Sequence, residues 1–313
     1  MKDLVLFGDC RKTLPAFIDE ARMCVTSPPY YGLRDYGGEA SQIGMEQSPE
    51  EYIQQLVEVF RLVRDNLTDD GTLWVNIGDS YYNYRSDGNY PKQTVSKTRQ
   101  DLPTKTPVRG NKLEGLKSKD LIGIPWMLAF ALRADGWYLR QDIIWHKPNP
   151  MPESVKDRCT KAHEYIFLLS KNKNYYYNNE AIKEPAKDWG TRDRSNGKYH
   201  NPGSGLVPHS GLTKSYERKN KRSVWSVTKK PYKGAHFATF PPDLIEPCIL
   251  AGSEPGDIIL DPFMGSGTTA MVAKQHGRYY MGCELHEDYG ELIKNRVPEE
   301  QPSDQNGLID FFY

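Results

Sequence analysis

The sequence predicts an α/β fold, a mostly parallel sheet with helices on both faces. Three observations carry this reading: short apolar runs recur along the chain, stretches with helical spacing separate them, and a glycine-rich turn joins one such run to a helix. Asp3 to Phe7 is the first run and closes at Gly8-Asp9; a helical stretch follows to about Ala21. Met23 to Thr26 is a second strand, halted at Pro28-Pro29. Ser48-Pro49-Glu50-Glu51 is a helix start, with a capping hydroxyl, proline in the first turn and acids behind it. Ile53, Leu56, Val57, Phe60 and Val63 then follow at helical spacing.

Gly71 to Ile77 reads as a buried strand, and Ile124 to Leu139 as a helix followed by a strand. Asp142 to Trp145 and Glu164 to Ser170 are further strands, with no internal repeat among them. Two polar, basic tracts, 83–119 and 171–222, read as loops or arms. The chain closes with a helix over Asp243 to Ala251, a strand Asp257 to Leu260, the turn DPFMGSGTT, a helix from Thr268 to about His276, and a strand Tyr279 to Glu284. In such sheets ligands sit beyond the carboxyl ends of the strands. Pro28-Pro29 and Gly265-Ser266-Gly267 both fall at strand carboxyl ends, so they are expected to face one crevice.

Charge divides the chain more sharply than its neutral total suggests. Of 313 residues, 41 are Lys or Arg and 41 Asp or Glu, yet residues 1–80 hold 7 basic against 14 acidic side chains. Residues 81–233 hold 30 against 14, and residues 234–313 hold 4 against 13. The middle is thus a basic insert between acidic ends, suited to a polyanion whose counterions it displaces. Tyr81, Tyr82, Tyr84, Trp189, Tyr199, Tyr216 and Trp225 lie among its cations, which favours nucleic acid over a plain solvated surface. The 5 scattered cysteines form no CxxC pair, and the 7 histidines show no metal-ligand spacing, so neither a disulfide framework nor a metal site is expected. No apolar stretch approaches the ~20 residues of a membrane span, and a cytoplasmic protein is expected.

Two short motifs carry the chemistry. In the later one, glycines let backbone approach a ligand, helix-start N–H groups favour an anionic group, and Glu284 ends the following strand where it can accept from ribose hydroxyls. That pattern suits a nucleoside-bearing cofactor. It is neither the GxGxxG of a dinucleotide site nor the lysine-bearing loop of a triphosphate site. In the earlier motif, Thr26-Ser27-Pro28-Pro29-Tyr30 presents a hydroxyl, a proline carbonyl and an aromatic face on a rigid turn, a set that fits a planar base bearing an amino group.

TSPPY and DPFMGSGTT, in this order and with a basic insert between them, resemble the amino-group DNA methyltransferases of the β arrangement, in which the catalytic motif precedes the cofactor motif. Other strings extend the resemblance over nearly the whole chain. Leu6 to Cys10 resembles the family's adenine-contacting segment, and GTLWVNIGDSY a strand of the pocket wall. Asp142 to Pro150, continuing through Pro152-Glu153-Ser154 and Arg158 to His163-Glu164-Tyr165, is similar to a run common in this group. His236 to Pro241 resembles the methionine-side cofactor motif.

The resemblance implies a Rossmann-like S-adenosylmethionine-dependent methyltransferase sheet with circularly permuted motifs. Residues 1–80 would be its catalytic half, 81–233 a middle with target-recognition segments and remaining core elements, and 234–313 its cofactor-binding half. It implies S-adenosylmethionine as cofactor, with Asp261, Phe263, Gly265, Gly267 and Thr268 at the amino-acid part, Glu284 at the ribose and Asp9 at the adenine. Cys10, His236, Phe240, Pro241, Pro262, Ser266 and Thr269 join them as cofactor-site candidates. Ser27, Pro28, Pro29 and Tyr30 would hold a base flipped out of duplex DNA. Lys147, Asn149, Arg158, Arg109, Lys112, Arg192 and Arg194 are candidate DNA contacts.

Serine at position 27 favours the cytosine N4 amine; adenine N6 is the alternative, since adenine enzymes of the family mostly carry Asp or Asn there. Carbon-5 methylation would need a nucleophile such as Cys248 after Pro247, but that dipeptide lies in the expected helix. From another class, the chain could be a nucleic-acid-binding protein that keeps the cofactor fold without turnover. Duplex DNA is the expected partner, with a cognate restriction endonuclease compatible, and the protein a monomer or homodimer.

Overall fold

Apolar side chains that alternate along each extended run must be covered on both sides, and the chain does this with one eight-stranded sheet between two layers of helices. The computed structural model describes residues 2–32, 41–82, 113–186, 217–228 and 240–297. Strand β1 (Leu4–Phe7) leads through α1 (Cys10–Thr13) to β2 (Ala21–Thr26). Helix α2 (Pro49–Asp65) leads to β3 (Leu67–Ile77), and α3 (Ile124–Ala134) to β4 (Tyr138–His146) and β5 (His163–Ser170). A small ribbon pairs β6 (Glu184–Pro185) with β7 (Arg218–Lys219). Then come β8 (Val224–Ser226), α4 (Pro242–Gly252), β9 (Ile258–Asp261), α5 (Thr268–Gln275), β10 (Tyr279–Glu284) and α6 (Tyr289–Arg296).

Across the sheet the order is β1-β10-β9-β2-β3-β5-β4-β8. Neighbours are parallel except around β5, which is antiparallel to both β3 and β4. The connections run outward in opposite directions from the β9–β2 boundary, so that boundary is where a crevice opens at the strand carboxyl ends. Period-two alternation sends Cys24, Leu73 and Val75 toward α2 and α3, and Met23, Val25 and Trp74 toward α4 and α5. Burying each large side chain of these layers contributes about 2 kcal/mol.

The local signals act as their chemistry requires. Ser48 Oγ accepts from the Glu51 N–H at 3.2 Å, and α2 buries Leu56, Phe60 and Val63. Helix α3 begins at Gly123, in the left-handed region at φ 89°, which supplies no capping side chain. The Asp79 carboxylate, just beyond β3, takes that role, accepting from the Gly123 and Ile124 N–H groups at 3.1 and 3.2 Å.

Four sequence expectations change. The helix expected as far as Ala21 stops early: α1 has one turn, a short 3-10 turn takes Leu14–Ala16, and Ala21 already belongs to β2. Pro15, which has no N–H to continue the ladder, stands at that transition. The separate strand at Asp142–Trp145 is part of β4, whose register slips between Leu139 and Gln141. Trp225, grouped by sequence with nucleic-acid aromatics, is core: it is buried in β8 and its indole N–H donates to the Arg222 carbonyl at 2.7 Å. Lastly, the tract 171–222 carries β6 and β7 as well as loop.

Candidate active site

The two sequence motifs meet at the β9–β2 boundary. Thr26, the last residue of β2, donates from Oγ1 to Asp261 Oδ1 at 2.6 Å, although 235 residues separate them. Asp261 ends β9, and its second oxygen accepts from Thr269 Oγ1 at 2.6 Å. The Phe263 N–H also reaches Asp261 Oδ1, at 3.0 Å. Burial pushes the Asp261 carboxyl up to about 6, against the pull of these three donors. Asp261 and Thr269 therefore tie the turn to the neighbouring strand from beneath, and neither lines the cavity that opens above. Gly267 also lies outside that lining; its φ of 79° is left-handed, and an added Cβ would stand 3.3 Å from Ile293 of α6.

Ser27, Pro28, Pro29 and Tyr30 all line the cavity. So do Pro262, Phe263, Gly265, Ser266 and Thr268 from the turn after β9, and Glu284 from the end of β10. Asp9 and Cys10 reach it from the start of α1, and Phe240 from just before α4. Pro241 is buried at the start of α4 rather than on the cavity wall.

The acidic groups are held by specific partners. Glu284 accepts the Gly265 N–H at 2.8 Å on one oxygen and the His286 N–H at 3.0 Å on the other. Burial raises the Glu284 carboxyl above its ordinary value even so. The Gly265 N–H is thus turned to Glu284, fixing the carboxylate beside the turn. Asp9 caps α1 through the Arg11 N–H at 3.0 Å and pairs with the Arg11 guanidinium at 2.8 Å. Burial alone would raise the Asp9 carboxyl, but Arg11 outweighs it and holds the group below its ordinary range.

The Ser27–Tyr30 turn is clamped from two directions. Tyr52 of α2, fully buried, donates its hydroxyl to the Pro29 carbonyl at 2.7 Å. The Tyr30 hydroxyl donates to Glu164 Oε2 of β5 at 2.8 Å, and the Ser27 hydroxyl is a further hydrogen-bonding neighbour of that phenol. Burial pushes the Tyr30 phenol well above its usual value. Gly78 makes room for the ring, since a Cβ there would stand 2.7 Å from Tyr30 Cε2.

Asn76, Trp145 and Glu164 line the same cavity, and nothing in the sequence motifs gives any of them an individual role. Beyond its place in the family-like run His163-Glu164-Tyr165, the signal for Glu164 is its charge at the head of the apolar run Tyr165 to Leu169.

The expected DNA contacts divide. Lys147 is 9% exposed, with its ammonium paired to Glu164 Oε1 and 4.4 Å from the Trp145 ring centre. It therefore serves the hydrogen-bonded network around Glu164 behind the cavity wall, because a cation that far out of water needs a charged partner. Asn149 is exposed, and Arg158 pairs with Glu153 and stacks 3.9 Å from the Tyr81 ring centre. His236, Arg109, Lys112, Arg192 and Arg194 lie outside the described residues.

Cys248 sits on α4, wholly buried, its thiol directed at the Leu244 carbonyl 3.7 Å away; burial raises its pKa. It does not line the cavity. Among the described residues no group of three His, Cys, Asp or Glu side chains could hold a metal ion, and no helix is long and apolar enough to cross a membrane.

Comparison with known proteins agrees with this arrangement. The profile of a DNA methylase family, N6_N4_Mtase, matches residues 21–295. The type II methyltransferase M.SmaI of Serratia marcescens is 47% identical over 298 residues, spanning 94% of this chain and 90% of that protein. The type II methyltransferase M.Cfr9I of Citrobacter freundii is 48% identical over 283 residues, or 89% and 82% of the two chains. Among solved structures, the cytosine-N4-specific PvuII DNA methyltransferase shares the fold with a TM-score of 0.61 at 18% identity, over 97% of this chain and 89% of that one. With both motifs on one cavity and the match spanning most of its length, the chain belongs to the N6/N4 family of DNA methyltransferases.

Proposed function

We propose that the protein methylates the exocyclic N4 amine of a cytosine extruded from duplex DNA, using S-adenosylmethionine, as the modification partner of a restriction endonuclease. The observation that carries this reading is the Thr26–Asp261 bond, which makes Ser27-Pro28-Pro29-Tyr30 and the Pro262–Thr268 turn neighbours on one cavity. The type II relatives at 47 and 48% identity support the modification role.

The residues present fit the cofactor. Glu284 offers a carboxylate at the wall for ribose hydroxyls. At Gly265, in the left-handed region at φ 54°, an added Cβ would meet nothing nearer than 3.9 Å, so the space beside the turn is cavity that a side chain would fill. Phe263 and Thr268 flank that space, and Asp9 with Arg11 stands at the adenine end. When bound, S-adenosylmethionine supplies a methyl group on an already activated sulfonium.

The chain's own residues then serve the acceptor. An exocyclic amine is a weak nucleophile because its lone pair is delocalised into the ring. Acceptors at Ser27 Oγ and the Pro28 carbonyl favour a pyramidal nitrogen and direct the pair toward the methyl carbon. Tyr30 supplies a stacking face that offsets part of the few kcal/mol needed to flip the base. Cytosine is preferred because position 27 is serine.

The test is to incubate purified protein with duplex DNA and labelled cofactor and to sequence the product for both the methylated atom and its context. N4-methylcytosine at a fixed site is the expected outcome. N6-methyladenine would replace cytosine by adenine as the target, and binding of both partners without transfer would replace catalysis by a binding role.

A further inference from the structure

Beneath the target-base turn lies an ion pair that neither motif explains. Lys147, just past β4, and Glu164, near the head of β5, pair with side-chain exposures of 11% and 13%. Glu164 Oε2, the oxygen not paired with Lys147, receives the Tyr30 hydroxyl at 2.8 Å. Asn76 Nδ2 lies 3.4 Å from that oxygen and is itself fixed by donating to the Tyr165 carbonyl at 3.1 Å. Three sheet segments and the catalytic turn thus converge on one carboxylate.

Stability alone does not call for this arrangement. A buried ion pair contributes no more than apolar residues of the same volume, because desolvating two charges offsets their attraction. What the carboxylate adds is direction. It accepts charge-assisted bonds along fixed lines, and so it holds the phenol in one orientation against the bare backbone of Gly78. It also polarises the phenol, making the ring more electron-rich. During transfer the acceptor amine gains positive charge, and an electron-rich face beside it stabilises that charge.

We propose that Glu164 is a positioning residue for methyl transfer: paired with Lys147, it fixes and polarises Tyr30, and through Tyr30 the face against which the extruded base stacks. This rests on Tyr30 being the base-stacking wall, as argued above.

The test compares Glu164→Gln, Tyr30→Phe, their combination and Glu164→Gln/Lys147→Met in single-turnover methylation. A duplex carrying pyrrolo-cytosine at the target position, whose emission is quenched on stacking, reports the base. Glu164→Gln keeps the volume and loses the charge; it should slow transfer roughly ten- to hundredfold, the range of one charge-assisted hydrogen bond, while KM for S-adenosylmethionine moves less than about twofold. Tyr30→Phe should fall by a similar factor, and Glu164→Gln should add little to it. Quenching should weaken in every variant.

The Lys147→Met double variant removes both charges and keeps the comparison available if the single substitution unfolds the protein. Parent rates in a folded Glu164→Gln or in the double variant would overturn the proposal. So would an undiminished Glu164→Gln effect in the Tyr30→Phe background, which would separate Glu164 from Tyr30. A Tyr30→Ala enzyme at the parent rate would instead remove the stacking assignment on which the proposal stands.

Discussion

Replacing Thr26 by valine keeps the shape of a fully buried side chain and deletes one hydroxyl. That hydroxyl is one of three donors to Asp261, beside Thr269 Oγ1 and the Phe263 N–H, and the carboxylate is 1% exposed, so water cannot replace it. A hydrogen bond to a buried charged group contributes about 1.5–3 kcal/mol. At about 2 kcal/mol, Tm should drop by roughly 3 °C for a chain of this size.

The loss depends on pH in a definite sense. The folded-state value of Asp261, about 6, lies above the ordinary 3.8, so the proton is favoured in the fold and stability falls as pH rises through that window. Removing a donor raises the group further. Thr26→Val should therefore cost more at pH 8, where the parent carboxyl is ionised, than at pH 5, where it is mostly neutral. Thermal unfolding followed by circular dichroism at both pH values measures the difference. Equal Tm values for parent and variant at pH 8 would refute the idea that this bond joins the two halves of the site.

Other substitutions separate the roles further. Ser27→Ala should lower the transfer rate roughly ten- to hundredfold while leaving the calorimetric Kd for S-adenosylmethionine within about twofold, as expected for a group proposed to act on the acceptor base and not on the cofactor. Glu284→Ala should do the reverse, weakening cofactor binding roughly tenfold or more through lost ribose contacts, again by calorimetry. Cys248→Ser should keep most of the turnover, because the residue is buried on α4 away from the cavity; loss of activity in a folded variant would revive a carbon-5 mechanism.

What the sequence made legible was local. The Ser48 cap, the apolar spacing of α2 and the runs that became β2, β3, β9 and β10 depend on neighbours a few residues away, and they lie close to where periodicity puts them. The crevice could be foreseen because alternating strands and helices leave few topologies, and two motifs at strand ends then have one place to meet. Long-range effects were not legible. Lys147 reads as a DNA contact until Glu164 is found across the β4–β5 pairing, a partner 17 residues away. Trp225 reads as an interface aromatic until β8 adds to the sheet edge and buries it. Asp261 reads as a cofactor ligand until its three internal donors are counted.

The sheet pairs β1 with β10, so a strand near the start of the sequence is flanked by one near the end. On a ribosome adding about 5–20 residues per second, the 235 residues between Thr26 and Asp261 take roughly ten to fifty seconds to emerge. Over that interval the flank of β2 that β9 covers lacks that partner, and the cavity lined by both motifs cannot form.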